Sequence, residues 1–482
     1  MRASLQVVMT RFGPCLTKSV SVLPDDCKNG SARLSGEDHA VKVKPHRKGQ
    51  PPATVKPFTS IPGPQGLPFI GTLHHYFIKD GIKFDRLFEV QNQRASEYGD
   101  IYVEKLAGLR NVIISCPYEY NKVIHNEAKH PKKFMLDPLI YYKHRRGIKQ
   151  GIITSEGDQW YKQRSLVSKK MLVLSEVAKF ADQMGEVADD FVKRLEIIRD
   201  SDGEVPNLKT ELLAWAMESL GVFLFKERLG CLSESPPPMV ASILKHFEDM
   251  VLCLQHLMYG LPLYKMYHTK TYKEFERHSD VVFAVVSSFV DKVSTAITWN
   301  LYALAKNPRV QEEMCTEIRE ARGRAGGQLS AHEIVSLPYV KAVVKETMRA
   351  FPIIHTTSRF LPVDLELAGY HVPAGAHVQA NLYGMYSNVE FFEKPEEFLP
   401  ERWVKSSHQI TNRVVKSIPL LTWGHGPRMC VGRRIAEQEM YLVLSKIVER
   451  FKLSYHHEAV GPTLTLVLTP DKPVRIRFTP RN

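Results

Sequence analysis

Trp423-Gly424-His425-Gly426-Pro427-Arg428-Met429-Cys430-Val431-Gly432-Arg433-Arg434 places one thiol among three glycines, just ahead of an apolar stretch, Ile435 to Phe451, that reads as a helix. Glycine lets a backbone take positive φ or approach a flat ligand without a Cβ in the way. The helix that follows directs its first N–H groups and its positive end at Cys430, which favours the thiolate, a strong metal ligand. No second Cys or His stands at zinc-site spacing, whereas a solitary thiolate suits the proximal position on a haem iron, with Arg428 suited to a propionate. Taken by itself, the residue also fits a buried structural cysteine, since free Cys is among the most buried residue types.

The rest of the chain narrows the class. It has 482 residues, 44% hydrophobic and 24% charged, ordinary values for a globular protein with a sizeable core. Its seven cysteines, at 15, 27, 116, 231, 253, 315 and 430, show no paired spacing, which argues for a reducing compartment rather than a disulfide framework. The formal charge is +13, but residues 1–60 hold ten Lys/Arg against four Asp/Glu, so much of it belongs to the leader. No nucleic-acid motif or aromatic-interleaved basic stripe is present, and an acidic protein partner remains open. Residues 1–24 carry Arg2, Arg11 and Lys18 with no acid, the composition of a mitochondrial presequence or of an acid-free disordered tail. No N-terminal run reaches the 18 or so apolar residues of a membrane span.

Residues 25–60 are polar and rich in Pro and Lys, and Pro62-Gly63-Pro64 marks entry into the folded domain. Asp100 to Ser115 reads as two strands about Ala107-Gly108, and Thr463 to Phe478 as two more about Pro470-Asp471-Lys472-Pro473. Leu365 to Leu382 is a third strand-rich patch amid long helical stretches, so the expected fold is mainly α with small β-sheets. Asn307-Pro308 opens one helix and Leu337 to Ala350 forms another, carrying Glu346 and Arg349 at i and i+3.

The thiol loop resembles the haem-binding loop of the cytochrome P450 family, with Trp423 where the family usually has Phe. Lys345-Glu346-Thr347-Met348-Arg349 is similar to the family's Glu-x-x-Arg, and Pro400-Glu401-Arg402-Trp403 to its meander. The resemblance implies a buried triad of Glu346, Arg349 and Arg402 behind the haem. Trp160-Tyr161-Lys162-Gln163-Arg164 resembles Trp-x-x-x-Arg, which implies that Trp160 and Arg164 reach a haem propionate, as would Arg359. Without this context the ion pair would read as a solvated face, and Trp160 and Arg164 as core and surface. The family fold sandwiches haem between a long distal helix and the helix after the Cys loop.

Lys341, Lys345, Arg433 and Arg434 match positions that in mitochondrial members dock an acidic, adrenodoxin-like ferredoxin, though solubilising charge is the plainer reading. Met250 to Tyr267 corresponds to the family's access region, where peripheral contact with the inner mitochondrial membrane and core packing explain the composition equally well.

The resemblance breaks on the distal side. Counting back from Trp299-Asn300-Leu301-Tyr302, Asp291 falls at the family's acid position, but Lys292 and Val293 replace the hydroxyl pair and Phe289 the glycine. The interval before Trp299 is also short, which implies an internal deletion around 280–295 with a junction near Ser294-Thr295. What the resemblance implies overall is a presequence and linker over 1–60 and one monooxygenase domain over 61–482. Such an enzyme uses haem b and O2, takes NADPH electrons through a reductase and ferredoxin, and oxygenates an apolar, sterol-like molecule on the matrix side of the inner membrane. The alternative is a haem-binding isoform without effective turnover.

Overall fold

The computed structural model describes residues 55–481, apart from 69, 77–83, 107–108, 135, 235, 237, 260–261, 282–283 and 405–412. The presequence expectation therefore lies outside the described residues. The chain is mainly helical with small, separate sheets. Leu208–Phe225 is buried along most of its length, and a helix apolar all round belongs in the middle of a core. Against it packs Ala284–Lys306, which in turn meets Pro338–Ala350 and Arg433–Arg450, and Ile297, Val343 and Leu444 of these three are fully buried in one cluster.

The largest sheet has four strands, with Ile101–Leu106 and Leu109–Ile114 forming the expected hairpin. Leu109–Ile114 then pairs in parallel with His377–Asn381, and Thr356–Phe360 closes the far edge. Leu365–Leu367 and Tyr370–Val372 make a second hairpin. Lys56 adds to it, donating to the Gly369 carbonyl at 3.0 Å, so the fold engages the chain ahead of Pro62.

The C-terminal hairpin differs from expectation. Pro462–Leu464 pairs with Leu468–Pro470, turning at Thr465 to Val467 rather than at Pro470 to Pro473. Arg477–Pro480 instead pairs with Phe451–Ser454, the strand that ends the Arg433–Arg450 helix. The prolines end one strand and redirect the chain to a distant partner. Asn307 precedes the helix Pro308–Arg324 as expected, but its side chain donates back to the Ala303 carbonyl instead of capping.

Candidate functional site: a thiol ringed by cations

Cys430 is half-buried, and it is free, as are the other described cysteines, 116, 253 and the buried 231 and 315. Its loop is cinched by a 2.6 Å hydrogen bond from the Cys430 N–H to the Trp423 carbonyl, and Gly424 and Gly426 take φ of 73° and 56°. A Cβ on Gly426 would run into the Glu127 carboxylate, so the position needs glycine for space as well as conformation. Gly432, at φ −83°, takes an ordinary conformation and starts the Arg433–Arg450 helix.

The thiol lies within electrostatic reach of two cations. Arg164, on the helix Gly157–Met171, is drawn below its ordinary pKa by burial, with Cys430 acting the other way. Burial likewise brings Lys133 down to about 8, with Arg428, Lys292 and Arg359 adding and Cys430 opposing. Among the described residues, neither Arg164 nor Lys133 has a hydrogen-bond or ion-pair partner. Two recessed, unpartnered cations beside a free thiol are a donor set for a dianionic group that carries a metal, and haem, with its two propionates, fits it.

Arg428 and Arg359, the other two residues expected at a propionate, are bonded to the protein itself. The Arg428 guanidinium lies 3.8 Å from the centre of the buried Trp160 ring and donates to the carbonyls of Pro131 and Ser155. Burial brings it down to about 10, against Glu156 and with Arg359 and Arg164 adding. Arg359 donates through Nε to Glu127, through Nη1 to the Ser358 carbonyl and through Nη2 to the His425 carbonyl. His425 Nδ1 lies 3.0 Å from Glu127 Oε1, and its Nε2 lies 3.0 Å from the Tyr120 hydroxyl. Burial would raise the Glu127 carboxyl, but His425 and Arg359 together hold it below the usual carboxylate range. This knot braces the thiol loop from beneath. Sequence reasoning missed Glu127, His425 and Lys133; of these only His425, inside the glycine loop, carried a visible signal.

Glu346, Arg349 and Arg402 come together in the core, each at most 2% exposed. Arg349 grips Glu346 through Nε at 3.0 Å and Nη2 at 2.8 Å, whereas Arg402 Nε stands off at 3.5 Å. Glu346 also accepts from the Leu399 amide at 3.0 Å and from Trp403 Nε1 at 2.9 Å, and Arg349 donates to the carbonyls of Tyr386, Pro395 and Glu397. Arg402 holds the carbonyls of Glu393 and Lys394. Trp403 is a member of this network that the motif alone did not single out.

A cavity of about 1020 Å³ is lined by Leu106, Leu109, Ile113, Leu257 and Met258 and also by Gln91, Glu104, Asp137, Lys133 and Arg359. His355 lines it, with burial holding its pKa at about 4, so the ring is neutral at physiological pH. Ala284–Lys306 runs unbroken through Ser294 and Thr295, both buried. The Asp291 and Phe289 side chains lie outside the described residues. Lys292 is exposed, and its charge bears on Lys133.

Lys341, Lys345, Arg433 and Arg434 gather around Glu437. Arg433 and Arg434 donate to it at 2.8 and 3.0 Å. Burial lowers the Lys345 pKa, Glu437 opposing and Arg433 and Lys341 adding. Lys341 also bears on the Glu317 carboxylate, so the four cations outnumber the two acids they meet. Among the described residues, no helix is long and apolar enough to cross a membrane.

Comparison with known proteins adds an independent line. A family profile described as Cytochrome P450 matches residues 61–293 and 290–478, in two pieces. The chain is 48% identical to "Cytochrome P450 10" of Lymnaea stagnalis over 471 aligned positions, covering 89% of this chain and 86% of the relative. It is 28% identical to "Cytochrome P450 27C1" of Danio rerio (91% and 90% covered). It is 29% identical to "Cholesterol side-chain cleavage enzyme, mitochondrial" of Homo sapiens (89% and 90% covered).

Proposed function

The chain belongs to the cytochrome P450 family of haem monooxygenases, and from that premise we propose that it is a mitochondrial enzyme that oxygenates an apolar, sterol-like substrate with electrons from a ferredoxin. The observation that carries this reading is the free Cys430 thiol within electrostatic reach of Arg164 and Lys133, two cations with no partner among the described residues. Haem bound there, with Cys430 as its thiolate ligand, would supply the oxygen chemistry. Cys430 would hold the iron, and Arg164 and Lys133 the propionates. Arg359 and Arg428 would keep the loop in shape, the first through Glu127 and the second against Trp160.

The cavity supports an apolar substrate. Leu106, Leu109, Ile113, Leu257 and Met258 would take the apolar body of such a substrate, with the neutral His355 beside them and polar groups such as Gln91 and Glu104 available to a hydroxyl. The patch of Lys341, Lys345, Arg433 and Arg434 would steer an acidic ferredoxin, loaded by a reductase from NADPH, with a rate that falls as salt rises. Mitochondrial relatives and the acid-free leader support a mitochondrial location, and the proposed place within it is peripheral to the matrix side of the inner membrane.

A second reading, a haem-binding isoform with impaired turnover, is favoured by the distal helix. The family match comes in two pieces that meet at residues 290–293, and one alignment to a cholesterol side-chain cleavage enzyme of Equus caballus runs over 505 positions, more than this chain contains. The two-piece match supports a break near the junction, and the alignment length supports residues of the relative that this chain lacks, without locating them. Lys292, a donor with no acceptor capacity, stands where proton delivery would call for a hydroxyl.

One experiment separates these readings. Dithionite-reduced protein with carbon monoxide should give the thiolate-type Soret band, and Cys430→Ser should abolish it. A folded, haem-supplemented wild type without that band refutes both. Reconstitution with ferredoxin, reductase, NADPH and lipophilic substrates then divides them, product supporting the enzyme and NADPH oxidation without product the impaired isoform.

A further inference from the structure

His246 and Asp249, at i and i+3 on the helix Pro238–Tyr259, face His278 on the helix Lys270–Val281. The two Nδ1 atoms are 3.0 Å apart, with the rings inclined at 60°, and Asp249 Oδ2 lies 3.7 Å from His278 Nδ1. The ligand-type atoms of all three lie within 4.8 Å of one another. We propose that these residues form a site for one divalent transition-metal ion of the zinc type, clasping together two helices of which the first lines the cavity.

The spacing carries the argument. Zinc–nitrogen bonds of about 2.0–2.1 Å at a tetrahedral angle put two ligand nitrogens about 3.3 Å apart, close to the separation seen. Two imidazoles and a carboxylate are borderline donors that suit zinc and its neighbours better than magnesium or calcium, and they leave a fourth position for water. His278 is buried, whereas His246 and Asp249 are partly exposed, so the site has a solvent approach. The effect would reach the cavity, because Leu257 and Met258 of the first helix line it. Pinning that helix to its neighbour would slow substrate exchange.

Arg277 opposes the ion. Its Nη2 lies 2.8 Å from His278 Nε2, and a guanidinium only donates, so the neutral His278 ring carries its proton on Nδ1, directed at His246 Nδ1. Metal binding moves that proton to Nε2, where it meets the Arg277 N–H groups, and the exposed arginine must turn away. A carboxylate in its place would accept the Nε2 proton and orient the ring as metal sites commonly do.

The test uses the haem-loaded full chain, stripped with chelator and dialysed against zinc chloride, with zinc counted per haem by mass spectrometry. One zinc per chain is expected, with affinity falling at least about tenfold in Asp249→Asn and His246→Asn and rising about tenfold in Arg277→Glu. Circular dichroism checks that each variant remains folded, and Asp249→Asn, at a half-exposed position, keeps the test valid if a histidine variant does not. X-ray absorption at the zinc edge should show nitrogen and oxygen only. A sulfur-containing shell, unchanged affinity in Asp249→Asn and His246→Asn, or no gain in Arg277→Glu overturns the proposal.

Discussion

Replacing Glu346 with alanine should remove most of the stability of the fold. The carboxylate is fully buried and accepts four close hydrogen bonds, two from Arg349, one from the Leu399 amide and one from Trp403 Nε1. Alanine strands the two neutral donors, at about 1–3 kcal/mol each. It also leaves the Arg349 charge buried without its counter-ion, and breaking a buried pair costs about 3–5 kcal/mol. These penalties overlap because Arg349 keeps its bonds to the carbonyls of Tyr386, Pro395 and Glu397. A net loss of about 5 kcal/mol or more remains, against a total near 5–15 kcal/mol for a typical native protein. Arg402→Ala should be milder, about 2–3 kcal/mol, because it chiefly frees the carbonyls of Glu393 and Lys394 and takes a contact of only 3.5 Å from Glu346. The assay is urea unfolding of haem-loaded protein followed by far-UV circular dichroism, with the exposed Lys394→Ala as control. A Glu346→Ala midpoint equal to that of the control, or Arg402→Ala proving the more damaging, would refute the reasoning.

Glu439, buried on the Arg433–Arg450 helix near Ser219, is pushed up by burial to about 8. Its folded pKa lies above the unfolded value of about 4.3, so its contribution is fully present below that and is lost as pH rises toward 8, at up to about 1.36 kcal/mol per unit. Glu439→Gln should therefore exceed wild type by several kcal/mol at pH 8 and nearly match it at pH 5, whereas a pH-independent difference in urea midpoints contradicts the assignment. Lys133→Met and Arg164→Leu should leave the haem-free protein as stable as wild type or more so, since each removes an unpartnered cation. The same changes should speed haem loss to apomyoglobin about tenfold, the equivalent of one charge-assisted bond of about 1.5 kcal/mol; unchanged release would show that these groups meet no propionate.

Legibility followed the range over which a signal acts. The glycines around Cys430, the hairpin about Ala107-Gly108 and the i, i+3 pair of Glu346 and Arg349 are local patterns, and local patterns can be read along the chain. The C-terminal hairpin was misread because Pro470-Asp471-Lys472-Pro473 is a stronger turn signal than Thr465 to Val467. What decides the matter is that Phe451–Ser454 claims Arg477–Pro480 as its partner. Lys133, in Pro131-Lys132-Lys133-Phe134, looks like ordinary surface charge until the fold brings it within electrostatic reach of the thiol. Glu127 had no signal at all, since its partners Arg359 and His425 lie hundreds of residues downstream. The direction of Arg359, toward Glu127 and the loop carbonyl, depends on that same remote contact.

The knot beneath the loop also sets an order of assembly. Tyr120 and His425 meet across 305 positions of sequence, and Arg359 reaches Glu127 across 232. At a synthesis rate of about 5–20 residues per second, the loop emerges roughly 15–60 s after the carboxylate that will brace it. Contacts of such separation form late, after closure of the long intervening chain has been offset by other packing. The thiol therefore gains its final setting among the last steps of folding, and a chain stalled or cut before residue 425 carries Glu127 and Arg359 with no loop to hold.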